Sequence, residues 1–408
     1  MTTATLPDAP WRHRPGFEDL CKLLGVSEDM VRLVGGAVRD GLLGLDVSDI
    51  DLATRLTPQA VMERLSSAGI KVVPTGIAHG TVTAVLDHRP VEITTLRCDV
   101  STDGRRATIA YTDDWREDAA RRDFTINALY ADPISGQLFD YFGGIDDLSD
   151  RRVRFIGDAR QRIAEDHLRI LRYFRFLARF GSLPPDHAAY DACTDMANSL
   201  MALSRERIAD ELLKLLDLEQ PLPVLRLMVA GAIFAPVLPE IDVRGLYRLE
   251  AMLKLEQAAS LPEPSPLIRL AALLPQDADV GDRVAARLKL SNKARKRIAA
   301  ALKPAPAHNS AKELAFRVGR ETAIDQLLLS GDPTVTTRIA ELKAWQVPEF
   351  PVGGRDLIAL GIEPGPAVSR LLAEIRDCWI AEAFPGRRRT LAMVEAYASD
   401  FLRDAQKS

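Results

Sequence analysis

Leu33-Val34-Gly35-Gly36-Ala37-Val38-Arg39-Asp40, followed after a helix-length interval by Asp49-Ile50-Asp51-Leu52, is the stretch on which the reading of this 408-residue chain turns. A short apolar strand ending in two glycines lets the backbone approach a phosphate closely, with N–H groups and the following helix N-terminus aimed at the anion. Arg39, one turn into that helix, reaches toward the same phosphates. Asp49 and Asp51 stand two apart on a predicted strand, so both carboxylates project from one face, the arrangement that bridges hard divalent cations such as Mg2+. Glu92, alternating with apolar neighbours in Val91-Glu92-Ile93, is a candidate third carboxylate and equally a residue that faces solvent. Alone, the glycine pair reads as a tight turn and the aspartate pair as a solvated strand edge; the two together are much rarer than either.

Two further clusters lie downstream. In Arg121-Arg122-Asp123-Phe124-Thr125-Ile126-Asn127-Ala128-Leu129 the arginines offer planar donor forks for phosphate oxygens. Asp123 and Asn127, four apart, are expected to share a helical face near ribose or base; the alternative is a surface helix start with ordinary charge pairing. In Glu165-Asp166-His167-Leu168-Arg169-Ile170-Leu171-Arg172-Tyr173-Phe174-Arg175-Phe176, the residues Asp166, Arg169, Arg172 and Arg175 recur at intervals of three and predict one polar stripe beside an apolar one. Such a stripe is commonly a solvated face. Asp166 and Arg169 have a sharper use, because a carboxylate accepts from the exocyclic amine that C and A share while a guanidinium donates to the ring acceptor beside it. U and G reverse that pattern and would leave both protein groups facing like partners, which is costly in a buried site.

Outward from these clusters, residues 31 to 140 alternate short β-branched runs (Val31 to Val34, Ile50 to Ala53, Thr81 to Leu86, Val91 to Leu96) with helical or Gly-rich segments. From about Asp158 apolar spacings of three and four take over, as in Ile208-Leu212-Leu215. The predicted class is α+β, a small α/β head on a long helical body. Asp99 to Asp114, polar with Gly104 and no periodicity, and the proline-rich Leu261 to Pro275 read as loops or joints. An apolar content of 47% is ample for the two to four domains that the length suggests.

Lys+Arg 53 against Asp+Glu 57, a net charge of -4, excludes a uniformly cationic nucleic-acid coat but leaves room for a local basic face. Asp282 to Lys303 supplies one, with Arg283, Arg287, Lys289, Lys293, Arg295, Lys296, Arg297 and Lys303 against the single acid Asp282. It suits a phosphate backbone, or else is a solvated helix face. The four cysteines lack metal or redox spacing, and Met1 to Gly16 carries prolines and charges where a signal peptide needs an apolar core. Pro221 to Pro239, the most apolar stretch, holds Arg226 and four prolines. The expectation is a cytoplasmic protein without a membrane span.

Gly35-Gly36-Ala37-Val38-Arg39-Asp40, Asp49-Ile50-Asp51, the Arg121 to Leu129 cluster and Glu165-Asp166-His167-Leu168-Arg169 together resemble the ordered motifs of class II CCA-adding tRNA nucleotidyltransferases and their bacterial poly(A) polymerase relatives. They cover residues 33 to 176, and Gly353-Gly354-Arg355-Asp356-Leu357 with Gly361 to Pro366 is a weaker echo of the family's tail. The resemblance implies a DNA polymerase β-like nucleotidyltransferase head over 1-149, a helical neck over 150-240, and an all-α body and tail over 241-408. It further implies two Mg2+ ions on Asp49 and Asp51, triphosphate contacts by Gly36, Arg39, Arg172 and Arg175, and nucleobase selection by Asp166 and Arg169. Arg121 or Arg122 would lie near the nucleotide, and the tRNA would be held by Arg287, Lys289, Lys293, Arg295, Lys296 and Arg297, with no protein partner implied.

The activity implied is template-independent addition of CMP, CMP and AMP to the 3′ end of tRNA, from CTP and ATP, with release of pyrophosphate. A poly(A) polymerase shares every catalytic motif. A non-catalytic RNA-binding protein has no use for intact Asp49, Asp51, Asp166 and Arg169, and a dinucleotide-binding oxidoreductase fails because Gly35-Gly36 lacks the Gly-x-Gly-x-x-Gly spacing. The chain departs from an HD phosphohydrolase pattern, since neither His167 nor His187 begins a His-Asp pair, so hydrolase side activities are expected to be absent.

Overall fold

In the computed structural model, which describes residues 5–102, 107–260, 265–304, 310–332 and 334–405, the β-branched runs of the N-terminal third pair into one seven-stranded sheet. Its strands are β1 (Val31–Val34), β2 (Ile50–Thr54), β3 (Lys71–Gly76), β4 (Thr81–Leu86), β5 (Arg89–Thr95), β8 (Leu129–Ala131) and β9 (Leu138–Asp140), in the order β3-β4-β5-β2-β1-β8-β9. Every pairing is antiparallel except β2 with β5. That parallel register sets Asp51 opposite Glu92. The glycine pair sits at the end of β1, where the helix Gly36–Leu42 begins and returns the chain to β2.

Two expectations need correction. Asp99 to Asp114, read as a loop, contains β6 (Arg97–Thr102) and β7 (Ala107–Tyr111), an antiparallel ribbon outside the main sheet with an irregularity between Asp99 and Ser101. Neither strand carries the β-branched run that marks the main-sheet strands, so the pattern is silent; the ribbon's tip, Gly104 included, lies outside the described residues. Leu261 to Pro275, read as a joint, holds the helix Pro266–Leu273. Proline at its start costs a helix nothing there, and Ile268, Leu270 and Leu273 are fully buried while Arg269 donates to the carbonyls of Leu216 and Leu218 at 2.6 Å each. Leu261 to Pro264 lie outside the described residues.

The chain divides into two compact units, Met1–Tyr247 with Ser265–Leu274 and Val284–Ser291, and Arg248–Pro264 with Pro275–Arg283 and Asn292–Ser408. The regions expected as head and neck both fall in the first. The second is helical, and its C-terminal part packs Leu357, Ile375 and Val394 around Trp379, whose indole N–H donates to the carbonyl of Pro385 at 2.7 Å.

Within the first unit the turn that carries the arginine cluster is fixed from below. Trp115 and Tyr130 pack edge to face over Val34, Ala53 and Leu96, and the helix Trp115–Ala120 ends at Arg121. Asp118, 1% exposed, accepts from Arg121 Nε at 2.8 Å, from the Tyr130 hydroxyl at 2.6 Å and from Arg122 at 3.2 Å. On its other side the turn Thr125–Asn127 rests on the helix Gly144–Ser149, so closely that a Cβ on Gly144 would lie 2.3 Å from the carbonyl oxygen of Thr125. Glycine is required there by contact.

Burial alone would push the Asp118 carboxyl up, but the charges of Arg122 and Arg121 and the hydrogen bond from Tyr130 outweigh it and bring the group down to about 2, from an ordinary 3.8. A carboxylate lowered in the folded state contributes stability that is complete above about pH 4 and lost as pH falls toward 2, on the order of 2 kcal/mol here. Asp118→Asn should therefore lower the thermal midpoint at pH 7, and the gap from the parent protein should narrow as the scans are repeated at pH 4 and 3. A gap that stays constant with pH would mean that the carboxylate's charge is not what anchors the turn.

Candidate active site

The first motif is folded around a backbone that only glycine adopts easily. Gly35 has φ +66° and ψ -120°, its N–H donates to the carbonyl of Leu129 at 3.0 Å, and a Cβ there would lie 3.4 Å from an Arg122 nitrogen. Arg39 leaves the helix that follows, 6% exposed, gripped by Asp40 at 2.8 Å and by the side-chain oxygen of Asn127. Burial, reinforced by Arg179, holds its guanidinium below the usual range despite Asp40.

Asp123 and Asn127 do not share a helical face as the spacing suggested. Asn127 is the last residue of a single 3-10 turn, Thr125–Asn127, and bonds back to Asp123 ahead of it, Nδ2 to Oδ1 at 2.9 Å. The other carboxylate oxygen accepts from Arg172 Nε at 2.8 Å. Burial raises the Asp123 carboxyl, and Arg172, Asn127 and the Phe124 amide together more than reverse that, leaving it below its ordinary value.

The third motif also differs from its expected stripe. One helix ends at Glu165 and the next starts at Arg169, so Asp166 sits extended in the break between them, at φ -149° and ψ 106°. Its carboxylate accepts from Arg207 at 2.8 and 3.2 Å. Arg169 is oriented by Glu165 at 2.6 Å and by the carbonyl of Arg162 at 2.7 Å. Arg175 turns aside to Glu211, 2.6 Å away, and does not reach the same space. Glu211 is 4% exposed, and a buried carboxylate claims the nearest guanidinium.

These elements enclose a cavity of about 510 Å³. Ten of the eleven nucleotide-site candidates line it, namely Gly35, Gly36, Arg39, Arg121, Arg122, Asp123, Asn127, Asp166, Arg169 and Arg172, all but Arg175. Asp51 lines it as well. Arg97 and Phe176 complete the wall; Arg97 belongs to none of the three clusters, and Phe176 ends the third without a polar group to mark it. Six arginines against three aspartates give the wall the charge that a polyanion needs.

Asp49 and Glu92 are exposed and do not line this cavity. Asp49 precedes β2 instead of lying on it, and accepts from the Ser48 hydroxyl at 3.0 Å. Among the described residues no three His, Cys, Asp or Glu side chains gather as a metal-binding group. The donor chemistry nevertheless fits a hard cation. Asp51 is pushed up to about 6 by burial and by the charges of Glu92 and Asp49, with Arg122 pulling against them. No cationic side chain pairs with Asp49, Asp51 or Glu92 among the described residues. Neighbouring carboxylates without an ion-pair partner are oxygen donors suited to a divalent ion.

The basic segment is less bare than its sequence. Arg287 pairs with Glu240, Lys289 with Glu206 at 2.7 Å, Arg295 with Asp282 at 2.9 Å, and Arg297 with Asp325 at 2.8 Å and Glu321 at 2.7 Å. Lys293 and Lys296 are exposed, with no acidic partner among the described residues. Arg287 and Lys289 belong to one compact unit and the other four to the second.

Residues 31–154 match the family model of the poly A polymerase head domain, and residues 185–244 that of the probable RNA and SrmB-binding site of polymerase A. Mitochondrial CCA tRNA nucleotidyltransferase 1 of Mus musculus is 36% identical over 384 residues, spanning 89% of this chain and 86% of its own. The CCA-adding enzyme of Levilactobacillus brevis is 32% identical over 375 residues, 88% of this chain and 91% of its own. Among solved structures, the Bacillus stearothermophilus CCA-adding enzyme in complex with CTP aligns with a TM-score of 0.72 at 27% identity, covering 97% of this chain and 99% of that one. Likeness on this scale extends well beyond the motifs, through head and helical regions alike, and the chain belongs to the family of CCA-adding tRNA nucleotidyltransferases.

Proposed function

We propose that the protein adds CMP, CMP and AMP in turn to the 3′ end of tRNA, using CTP and ATP and releasing pyrophosphate. The observation that carries this reading is the convergence of Asp51, the arginines and the Asp166–Arg169 pair on one cavity. The relative whose structure holds CTP supports a nucleoside triphosphate as the occupant. Relatives with mitochondrial and bacterial names leave the compartment open on kinship alone. The four cysteines are all free thiols, which supports a reducing compartment such as the cytoplasm. No helix among the described residues is long and apolar enough to cross a membrane.

In this reading the open backbone at Gly35 and Gly36 lets the triphosphate lie against the head, while Arg39 and Arg172 turn their remaining N–H groups to its oxygens. Asp49 and Asp51, with Glu92 beside them, would hold Mg2+, two ions on our reading, which supplies Lewis-acid activation of the terminal ribose hydroxyl and neutralises phosphate charge. The residues of the chain align the sugar hydroxyl and the α-phosphate for in-line attack: the new O–P bond forms as the bond to pyrophosphate breaks on the opposite side, and the hydroxyl proton passes to solvent, with no protein group assigned as general base. Asp166 accepts from the exocyclic amine of C or A, and Arg169 donates to the neighbouring ring nitrogen. Arg207 and Glu165 hold the two side chains in their orientations. The tRNA would be held in part by Lys293 and Lys296.

Asp51→Asn keeps the side chain's shape and removes its charge, so Mg2+-dependent transfer should be lost while tRNA affinity, measured by filter binding, stays close to the parent value. Normal turnover of this variant at saturating Mg2+ would remove Asp51 from the metal site. For Arg169→Ala the quantity to follow is the ratio of kcat/KM for CTP over UTP, which should fall by the equivalent of about 1–3 kcal/mol, the worth of a base-edge contact. An unchanged ratio would make Arg169 a structural residue. The function itself is tested on gels that resolve single nucleotides: tRNA ending at its discriminator base should gain three residues and stop even in excess ATP. A ladder of long A tails would assign the protein to poly(A) synthesis instead.

A further inference from the structure

Phe176 lines the nucleotide cavity, yet it is only 6% exposed and lies on the helix Arg169–Phe180 at the edge of its arginine-bearing side. Three guanidinium carbons stand around its ring, Arg175 at 4.7 Å from the centroid, Arg39 at 5.3 Å and Arg172 at 5.4 Å. Arg172 and Arg175 come from the preceding turn of the same helix, whereas Arg39 comes from the helix behind the glycine pair. The ring itself is backed by Phe124 at 5.2 Å and Phe180 at 5.6 Å, and Phe180 takes Arg39 at 4.1 Å.

Each of these guanidiniums already has a carboxylate against its N–H edge: Asp40 for Arg39 at 2.8 Å, Asp123 for Arg172 at 2.8 Å and Glu211 for Arg175 at 2.6 Å. These contacts, with Asn127 on Arg39 and a second nitrogen of Arg172 on Asp123, act within each guanidinium plane and leave its flat side to whatever packs there. Three like charges around one ring repel one another, and carboxylates at their N–H edges do not pull their flat sides toward it. An aromatic face does, because its negative quadrupole attracts the flat side of a guanidinium. An aliphatic side chain of similar volume would fill the same space without that attraction.

We infer that Phe176 is a positioning residue for the triphosphate, whose ring face sets the planes of Arg39 and Arg172 so that their remaining N–H groups meet the phosphates. It acts through those two arginines and touches no reacting atom. The inference rests on the reading of this cavity as a nucleoside triphosphate site. It separates phosphate recognition, which depends on the ring's electron density, from base recognition by Asp166 and Arg169, which does not.

The test replaces Phe176 with 4-fluoro-, trifluoro- and pentafluorophenylalanine in the full chain, a series that drains the ring's negative face with little change of shape. Binding of CTP and of CMP is measured by calorimetry with Mg2+ and without tRNA. The Kd for CTP should rise stepwise to about tenfold at the pentafluoro ring, the size expected when cation–π contacts are lost, while the Kd for CMP moves less than about twofold. Phe176→Leu should match the pentafluoro protein, and Phe176→Tyr, which keeps a face, should stay near the parent. A flat series with intact CTP binding overturns the inference alone, as does an equal rise for CTP and CMP, which would make the ring a wall of the base pocket. Failure of the unsubstituted protein to bind CTP would remove the nucleotide reading, and the inference with it.

Discussion

The carboxylate of Asp123 joins the two parts of the site. One of its oxygens accepts from Asn127 and the Phe124 amide, within the turn that follows the arginine pair, and the other from Arg172 on the neighbouring helix. Asn127 in turn accepts from Arg39, so a single buried acid connects the helix behind the glycine pair to the helix that follows the break at Asp166. Removing one partner of such a network leaves the others buried and unpaired, which is why networks of this kind resist piecemeal substitution. The geometry of the cavity wall depends on this joint.

Concentrating cations is the second constraint. A wall with six arginines would repel itself apart unless each guanidinium were tied at some of its N–H positions and free at others. The chain meets this with acids placed behind the wall: Asp118 behind Arg121 and Arg122, Asp40 behind Arg39, and Glu165 behind Arg169. Asp118 and Glu165 are missing from the cavity lining because their work is done from the rear. The same logic applies to Arg175, which is turned toward Glu211 and away from the cavity lining.

Features set by local sequence were legible. Four of the seven main-sheet strands announce themselves as β-branched runs, and the glycine pair marks the turn at the end of β1, because both signals act over a few residues. What stayed silent was either weak locally or distant in sequence. β3 contains Pro74 and lies at a sheet edge, β8 and β9 are three residues long, and the β6–β7 ribbon has no apolar alternation. The ion pairs that decide which arginines are free, such as Arg175 with Glu211 or Arg297 with Asp325, join residues 36 and 28 positions apart. A charge count over a segment cannot see partners that folding brings from elsewhere, and the Asp282 to Lys303 segment shows how much of an apparent basic patch they neutralise.

The break at Asp166 has a consequence that a continuous helix would lack. On one helix face, side chains three apart project in nearly the same direction, and a carboxylate and a guanidinium so placed tend to pair with each other. Here Asp166 is extended and held by Arg207, while Arg169 is held by Glu165 and by the carbonyls of Arg162 and Arg121. Each member of the pair is thus restrained by a different neighbour, and neither is spent on the other. Arg162 donates to the carbonyls of Arg121 and Arg122 as well, so the segment around Asp166 is registered against the backbone of the arginine turn. In the function proposed above, a pair fixed in this way would present one donor and one acceptor at a constant distance from the triphosphate. C and A carry the complementary edge, an amine beside a ring acceptor, so on that proposal a single rigid pair serves both without an RNA or DNA template to choose between them.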